Sequence, residues 1–209
     1  MNPLTDPDGF FSEKMEQDTN LKSPALIVLV TGVIAAVNAY IIAGMVMEAI
    51  APTLPPEAAG FAKIGSIFGA VAALFITFIM WAIYTGIFFV ISAILGGEGD
   101  FKRLLAFVGY GFIPTIFGSI ITTGLTYYGM SGIEFSMENP ELMQQSIMVD
   151  PMMQLVSIIG IIFLLWTANI CIFAVKHARG LNTKNSLITV GIPIGIYILY
   201  QAVMLILMM

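Results

Sequence analysis

Five long segments without a charged side chain constrain this sequence more than any other feature. They lie at 23–47, 64–97, 104–133, 151–175 and 185–209, and each contains 25 to 34 residues. A helix of roughly 20 apolar residues crosses the hydrocarbon core of a bilayer. Such a helix also satisfies its own backbone hydrogen bonds where no water is present. The segments therefore predict an all-α integral membrane protein, built as a bundle of five transmembrane helices.

The predicted organisation is a short tail followed by one membrane domain. Residues 1–22 form the tail, with a short interfacial helix, and residues 23–209 form the membrane domain. We predict its spans at approximately 24–47, 64–95, 104–130, 151–175 and 186–208. Composition agrees, because only 10% of the residues are charged, against about 25% in an average soluble domain.

The positive charges indicate which side of the membrane each end faces. Seven of the eight Lys and Arg residues lie in the tail and in the loops 98–103 and 176–184. The loops 48–63 and 134–150 contain only Lys63. Short loops rich in Lys and Arg stay in the cytoplasm. We therefore expect a cytoplasmic N-terminus and, after five crossings, a C-terminus outside.

Capping residues directly before prolines predict where several helices begin. Asp6, Ser23, Asn139 and Asp150 each precede a proline. Such side chains accept hydrogen bonds from free backbone N–H groups, and proline suits the first helical position. The helix after Asp6, at roughly 7–17, is expected either to lie at the membrane interface or to dock on the bundle. A second short helix is expected at about 140–149.

Glycines and prolines predict the ends and bends of the spans. The pair Gly96–Gly97 is expected to end the second span, and Gly180 to end the fourth, after a last turn rich in cations. Pro114 and Pro193 lie inside the third and fifth spans. Proline removes a backbone donor and kinks a helix, so a kink is predicted at each of the two positions.

The sequence contains no pattern of residues that is typical of catalysis or metal binding. The predicted spans contain no Asp or Glu, His177 is the sole histidine and Cys171 the sole cysteine. No zinc-protease, nucleophile-elbow, phosphate-loop or dinucleotide motif occurs. We therefore expect a protein that is not an enzyme, with no catalytic or metal-binding residues, no cofactor and no nucleic-acid partner.

Polar and small residues recur at helical spacing within the spans. The candidates for a polar bundle interior are Asn38, Thr115, Thr122 and Gln201. Small residues and hydroxyls allow close packing and hydrogen bonds between helices, which favours a structural role. The alternative is a cavity lined by these faces. Asn38 is expected to form a hydrogen bond, because an unsatisfied amide is costly in hydrocarbon.

The loop between the second and third spans is the most distinctive part of the sequence. Gly96–Gly97 is followed by Phe101–Lys102–Arg103, then by Gly109–Tyr110 and by Pro114. With the five-span topology, this pattern resembles the Yip family of Ypt/Rab-interacting membrane proteins. The short loops and tail resemble its prokaryotic members, which implies a prokaryotic plasma membrane. The Asp-Leu-Tyr-Gly-Pro stretch of eukaryotic relatives, which bind prenylated Rab GTPases, is absent.

This resemblance implies a non-enzymatic role in membrane organisation or partner recruitment. The expected partners are membrane lipids, a second copy of the chain, and a cytoplasmic or membrane protein. The alternative function is a small-solute channel or facilitator, lined by the polar stripes of spans one, three and five. The candidate contacts for a partner or for lipid headgroups are Gly96, Gly97, Phe101, Lys102, Arg103 and Tyr110.

Overall fold

The computed structural model describes residues 1–50, 54–131, 146–147 and 149–207. These ranges contain no strand, and the predicted all-α fold is confirmed. The helices traced in them are α1 (Pro7–Met15), α2 (Lys22–Ile50), α3 (Pro56–Ile94), α4 (Phe101–Tyr110), α5 (Ile113–Met130), α6 (Pro151–Arg179) and α7 (Thr183–Leu207).

Four helices and one bent pair account for the five predicted spans. By length and apolar composition α2, α3, α6 and α7 can each cross a membrane, and α4 with α5 can do so as a pair. The pair bends by 41° at the break between its two helices. Pro114 lies in the first turn of α5, so the kink predicted there is present as this bend. Pro193, by contrast, lies inside the single helix α7.

Two of the predicted helix starts are confirmed and one is wrong. The carboxylates of Asp6 and Asp150 accept backbone N–H groups of the first turn at 2.9–3.0 Å. Ser23 is not a cap, because α2 begins one residue earlier, at Lys22. The N–H of Lys22 donates to Asn20 Oδ1 at 2.8 Å, so an asparagine side chain satisfies this end instead. Asn139 and most of the helix expected at about 140–149 lie outside the described residues.

The predicted glycine stops are confirmed by backbone conformation. The helix α3 ends at Ile94, and Gly96 follows with φ of 83°. The helix α6 ends at Arg179, and Gly180 follows with φ of 63°. Side chains disfavour this left-handed region, so glycine is the residue that can end both helices in this way.

Packing differs between the two ends of the bundle. The end that contains α1, the turn between α3 and α4 and the turn between α6 and α7 is called the α1 end. Completely buried side chains collect there, among them Phe11, Leu104, Val175 and Val190. Elsewhere α2, α3, α6 and α7 carry long rows of exposed apolar side chains. In a membrane protein that surface is covered by lipid chains, so it needs no protein partner.

Candidate functional site

The α1 end is organised around the buried guanidinium of Arg179, the last residue of α6. Its Nε donates to Ser92 Oγ at 3.0 Å, and its Nη2 donates to the carbonyl oxygen of Gly97 at 2.7 Å. Its Nη1 donates to the carbonyl oxygen of Gly99. Its Cζ lies 4.2 Å from the ring centre of Phe89, within the range of a cation–π contact. One side chain thus ties α6 to α3 and to the turn that follows α3.

The turn between α3 and α4 packs closely against α6 because two of its residues, at the points of closest contact, are glycines. A Cβ on Gly97 would lie 3.2 Å from Arg179 Cβ on α6 and 2.8 Å from the carbonyl oxygen of Ser92 on α3. A Cβ on Gly99, whose φ is 109°, would lie 2.5 Å from the carbonyl oxygen of Ala178. The N–H of Glu98 also donates to the carbonyl oxygen of Arg179 at 2.8 Å. The glycines of this loop therefore permit direct backbone contact with the end of α6.

The short helix α1 docks on the bundle, as one of the two expectations for it proposes. Asp8 Oδ1 accepts from Lys176 Nζ at 2.7 Å and lies 2.6 Å from His177 Nε2. Hydrogen bonds from Lys176 and then His177 hold the pKa of Asp8 below its ordinary value. Phe11 is completely buried, and its ring centre lies 4.9 Å from that of Phe107. Charge and apolar contacts therefore both fix α1.

Three of the six predicted contact residues lie at the surface of the α1 end. Gly96, Phe101 and Lys102 are exposed. Phe101 is 39% exposed, and its ring packs edge-on against Phe89 with the centroids 5.6 Å apart. An aromatic ring and an ammonium group are thus presented side by side at the start of α4.

The other three predicted contact residues make contacts within the chain. Gly97 accepts from the buried arginine of α6, as described above. Arg103 donates from Nε to Thr19 Oγ1 at 3.1 Å and from Nη1 to Met15 Sδ at 3.6 Å. The ring of Tyr110 meets Phe10 with the centroids 5.0 Å apart. Arg103 and Tyr110 therefore hold the N-terminal segment in place.

Three of the four residues predicted for a polar interior line one cavity. Its volume is about 490 Å³, and it lies between α3, α4, α5, α6 and α7. Thr115, Thr122 and Gln201 are on its wall. Their polar groups are engaged: the Thr115 and Thr167 hydroxyls are 3.3 Å apart, and Thr122 Oγ1 donates to a carbonyl of its own helix. Gln201 Nε2 donates to the Tyr197 hydroxyl at 3.3 Å.

Asn38 is placed differently from the other three predicted interior residues. It lies on α2 and is not among the described residues that line the cavity. Its Oδ1 is buried with no hydrogen-bond partner among the described residues, so the expected hydrogen bond is wrong for this atom. The hydroxyls of Thr31 on the same helix and of Thr77 on α3 donate to carbonyls of their own helices. These two hydroxyls are therefore not free to donate to Asn38.

Arg179 is the important residue that sequence reasoning missed. In the sequence it is one of several cations in the last turn of a span, and nothing local distinguishes it from Lys176. The apolar residues on α6 that line the cavity, such as Phe163 and Leu164, were missed for a similar reason, because apolar side chains are ordinary in a span. Within the described residues no three His, Cys, Asp or Glu side chains come together as metal ligands.

The long apolar helices and the lipid-facing surface define a polytopic α-helical integral membrane protein. Residues 1–205 match the Yip1 domain, and the chain belongs to that family, as the loop after the second span predicted. The chain is similar to the uncharacterized protein MJ0794 of Methanocaldococcus jannaschii, with 40% identity over 129 residues. The match covers 60% of this chain and 86% of that protein. No solved structure gives a significant match.

Proposed function

We propose that this protein is a non-enzymatic membrane organiser that recruits a protein partner to the surface beside Phe101 and Lys102. The observation that carries the proposal is the bracing of this surface by the buried Arg179. Three donated hydrogen bonds and the contact with Phe89 hold the turn in one conformation. A surface that is already ordered loses less conformational entropy when a partner binds.

The side chains on this surface suit a protein partner. Aromatic residues are enriched in protein interfaces, and the half-exposed ring of Phe101 is held against Phe89. Lys102 beside it attracts a carboxylate of the partner. The charge distribution of the loops supports a cytoplasmic position for this end. The archaeal relative supports a prokaryotic plasma membrane as the location.

Photocrosslinking in cells tests recruitment directly. A benzoylphenylalanine replaces Phe101, because it keeps an aromatic ring at the exposed position. After irradiation, adducts are identified by mass spectrometry in three backgrounds: unchanged, Lys102→Glu and Lys184→Glu. Lys184 is an exposed cation of the same end and serves as the matched control.

The expected result is one reproducible protein adduct that Lys102→Glu weakens several-fold and Lys184→Glu leaves unchanged. Arg103 is left intact in this design, because its replacement would also release Thr19 and Met15. An adduct with a second copy of the chain would identify self-association as the form that recruitment takes. Adducts with lipid alone, or equal loss in both variants, would refute the recruitment of a protein.

The alternative function is a small-solute channel or facilitator lined by spans one, three and five. The described residues that line the cavity come from spans two to five, and none comes from α2. At the α1 end the cavity stops at the buried side chains of Phe88, Val108 and Cys171. Uptake of small neutral solutes by proteoliposomes, above that of empty vesicles, would favour the alternative over recruitment.

A further inference from the structure

The interior cavity is closed at one end and open at the other. The lining residues nearest the α1 end, Phe88, Val108 and Cys171, are 1–3% exposed. The lining residues at the opposite end, among them Ser157 and Gln201, are exposed. Among the described residues the cavity is therefore a blind pocket that opens away from α1.

The pocket is long and narrow. On α6 the lining extends from Cys171 to Val156, which at 1.5 Å per residue is about 22 Å along the helix axis. Spread over that length, a volume of about 490 Å³ makes the pocket longer than it is wide. A pocket of this shape suits an extended chain.

The wall of the pocket suits an apolar occupant. Its described lining residues include no charged side chain. The hydroxyls of Thr122 and Ser157 donate to carbonyls of their own helices, and those of Thr115 and Thr167 face each other. A buried water needs two to four polar partners, and these groups already have partners within the protein. Hydrocarbon needs no polar partners, so it suits this space better than water does.

The open end has a different character. Tyr197 is 50% exposed, and its hydroxyl accepts from the amide of Gln201. Tyrosine rings favour the boundary between hydrocarbon and headgroups, where one part of the ring is apolar and the hydroxyl is wet. A carboxamide has two donors and an acceptor and can also bond an ester or headgroup oxygen. The pocket thus changes from apolar to polar along its length, as a lipid does.

We propose that this pocket binds one acyl chain of a membrane lipid, with the polar part of the lipid at Tyr197 and Gln201. The occupant follows from the position, because the exposed lining residues Ser157 and Gln201 lie within helices that can cross the membrane, where acyl chains are at very high concentration. The site lies in the part of the bundle opposite the recruitment surface. It does not depend on recruitment, and either proposal stands if the other fails.

Gly160 provides a variant that fills the pocket. It lines the pocket, and a Cβ added there meets no other atom within 4 Å, so Gly160→Leu adds a side chain without a clash at Cβ. Gly191→Leu on α7 is the matched control, because Gly191 is exposed, does not line the pocket and also has open space at Cβ. Both changes replace a helical glycine by a better helix former.

The test uses a phosphatidylglycerol with a diazirine in the middle of one acyl chain, reconstituted with the full chain in vesicles. After irradiation, peptide mapping by mass spectrometry locates the adducts. We expect adducts concentrated on pocket residues such as Phe112 and Leu164, and saturable by unlabelled lipid. Gly160→Leu should reduce them about tenfold, while Gly191→Leu should leave them unchanged.

Several outcomes would overturn the proposal. One is labelling spread evenly over the outward faces of the helices in the unmodified protein. Another is pocket labelling that Gly160→Leu does not reduce. A third is pocket labelling by the free fatty acid probe but not by the phospholipid, which would exclude a membrane lipid. If Gly160→Leu fails to fold by circular dichroism, the adduct map of the unmodified protein decides the question.

Discussion

At the scale of single residues, the α1 end depends on where Arg179 places its charge. Arg179 is 3% exposed, so water does not readily replace the hydrogen bonds that its guanidinium makes to Ser92, Gly97 and Gly99. A buried charge is tolerated only when its donors are satisfied, and its acceptors then depend on it in turn. The conformation of the turn after α3 is therefore tied to one side chain on α6.

Arg179→Met should destabilise the protein by about 1–3 kcal/mol, because it leaves the buried acceptors on Ser92, Gly97 and Gly99 without their donor. The stability of Arg179→Lys should lie between that of Arg179→Met and that of the unmodified protein, because an ammonium group keeps the charge but lacks the planar set of donors of a guanidinium. Chemical unfolding in detergent micelles, followed by circular dichroism, measures the change. The control Lys184→Met should change stability by less than about 0.5 kcal/mol. Equal stability of Arg179→Met and the unmodified protein would contradict the role given to Arg179.

At the scale of elements, α1 depends on its neighbours for its order. It has nine residues, and an isolated helix of that length is marginal in water. Its capping Asp6 helps, but the burial of Phe11 and the contacts of Asp8 supply the rest. The docked and undocked forms of α1 therefore differ mainly in contacts with α4 and α6.

Acid should release α1. The pKa of Asp8 is lowered in the docked form from its ordinary value of 3.8, so docking gains stability from Asp8 above that value. This contribution is lost as the pH falls through the lowered pKa and Asp8 becomes protonated. Proteolysis of the 16–21 linker at stepped pH, in nanodiscs, should show increased cleavage in acid. In Asp8→Asn the step should disappear, and a step that persists there would assign it to another group.

The contact between α2 and α4 gives a second prediction at this scale. A Cβ on Gly109 would lie 2.6 Å from Pro24 Cβ and 3.2 Å from Trp81. Both neighbours are rigid, so Gly109→Ala should cost about 1–3 kcal/mol through overpacking. Gly124→Ala on α5 is the control, because a Cβ there meets no other atom within 4 Å. Thermal unfolding in micelles compares the two, and equal midpoints would refute the close approach of α2 and α4.

The sequence predicted the elements well, because their signals are local. Five uncharged runs, the caps at Asp6 and Asp150 and the glycine at 180 each act within a few residues. Ser23 failed because Asn20 competes for the same helix end. The docking of α1 could not be decided, because Asp8 and Lys176 are 168 positions apart and no pattern links them. The role of Arg179 could not be predicted for the same reason, because its partners Ser92, Gly97 and Gly99 are also far from it in the sequence.

At the scale of the whole molecule, the bundle is tightly packed at the α1 end and holds a pocket toward the other end. Phe11, Leu104, Ile170 and Val190 are completely buried at the packed end. The pocket wall becomes progressively more exposed toward Gln201. This gradient of exposure predicts that water enters the open end of the pocket and does not reach its closed end.

Thiol labelling measures that gradient. In a Cys171→Ala background, single cysteines replace Thr115, Thr122 and Gln201, and a membrane-impermeant maleimide is applied to oriented proteoliposomes. Gln201→Cys should react rapidly, and Thr115→Cys should be protected, because its position is deep and apolar. A cysteine at Gly191, exposed on the outer face of α7, reports the background from lipid alone. Rapid labelling at position 115 would reveal a wet interior and favour a solute route.

The contacts of Asp8 with Lys176 and His177 on α6 have a consequence for the synthesis of the protein. The ribosome completes α1 first, but Lys176 and His177 emerge about 168 residues later. At about 5–20 residues per second, α1 waits roughly 8–34 s for its binding site. The contacts of Asp8 with Lys176 and His177 can therefore form only after the fourth span has been synthesised.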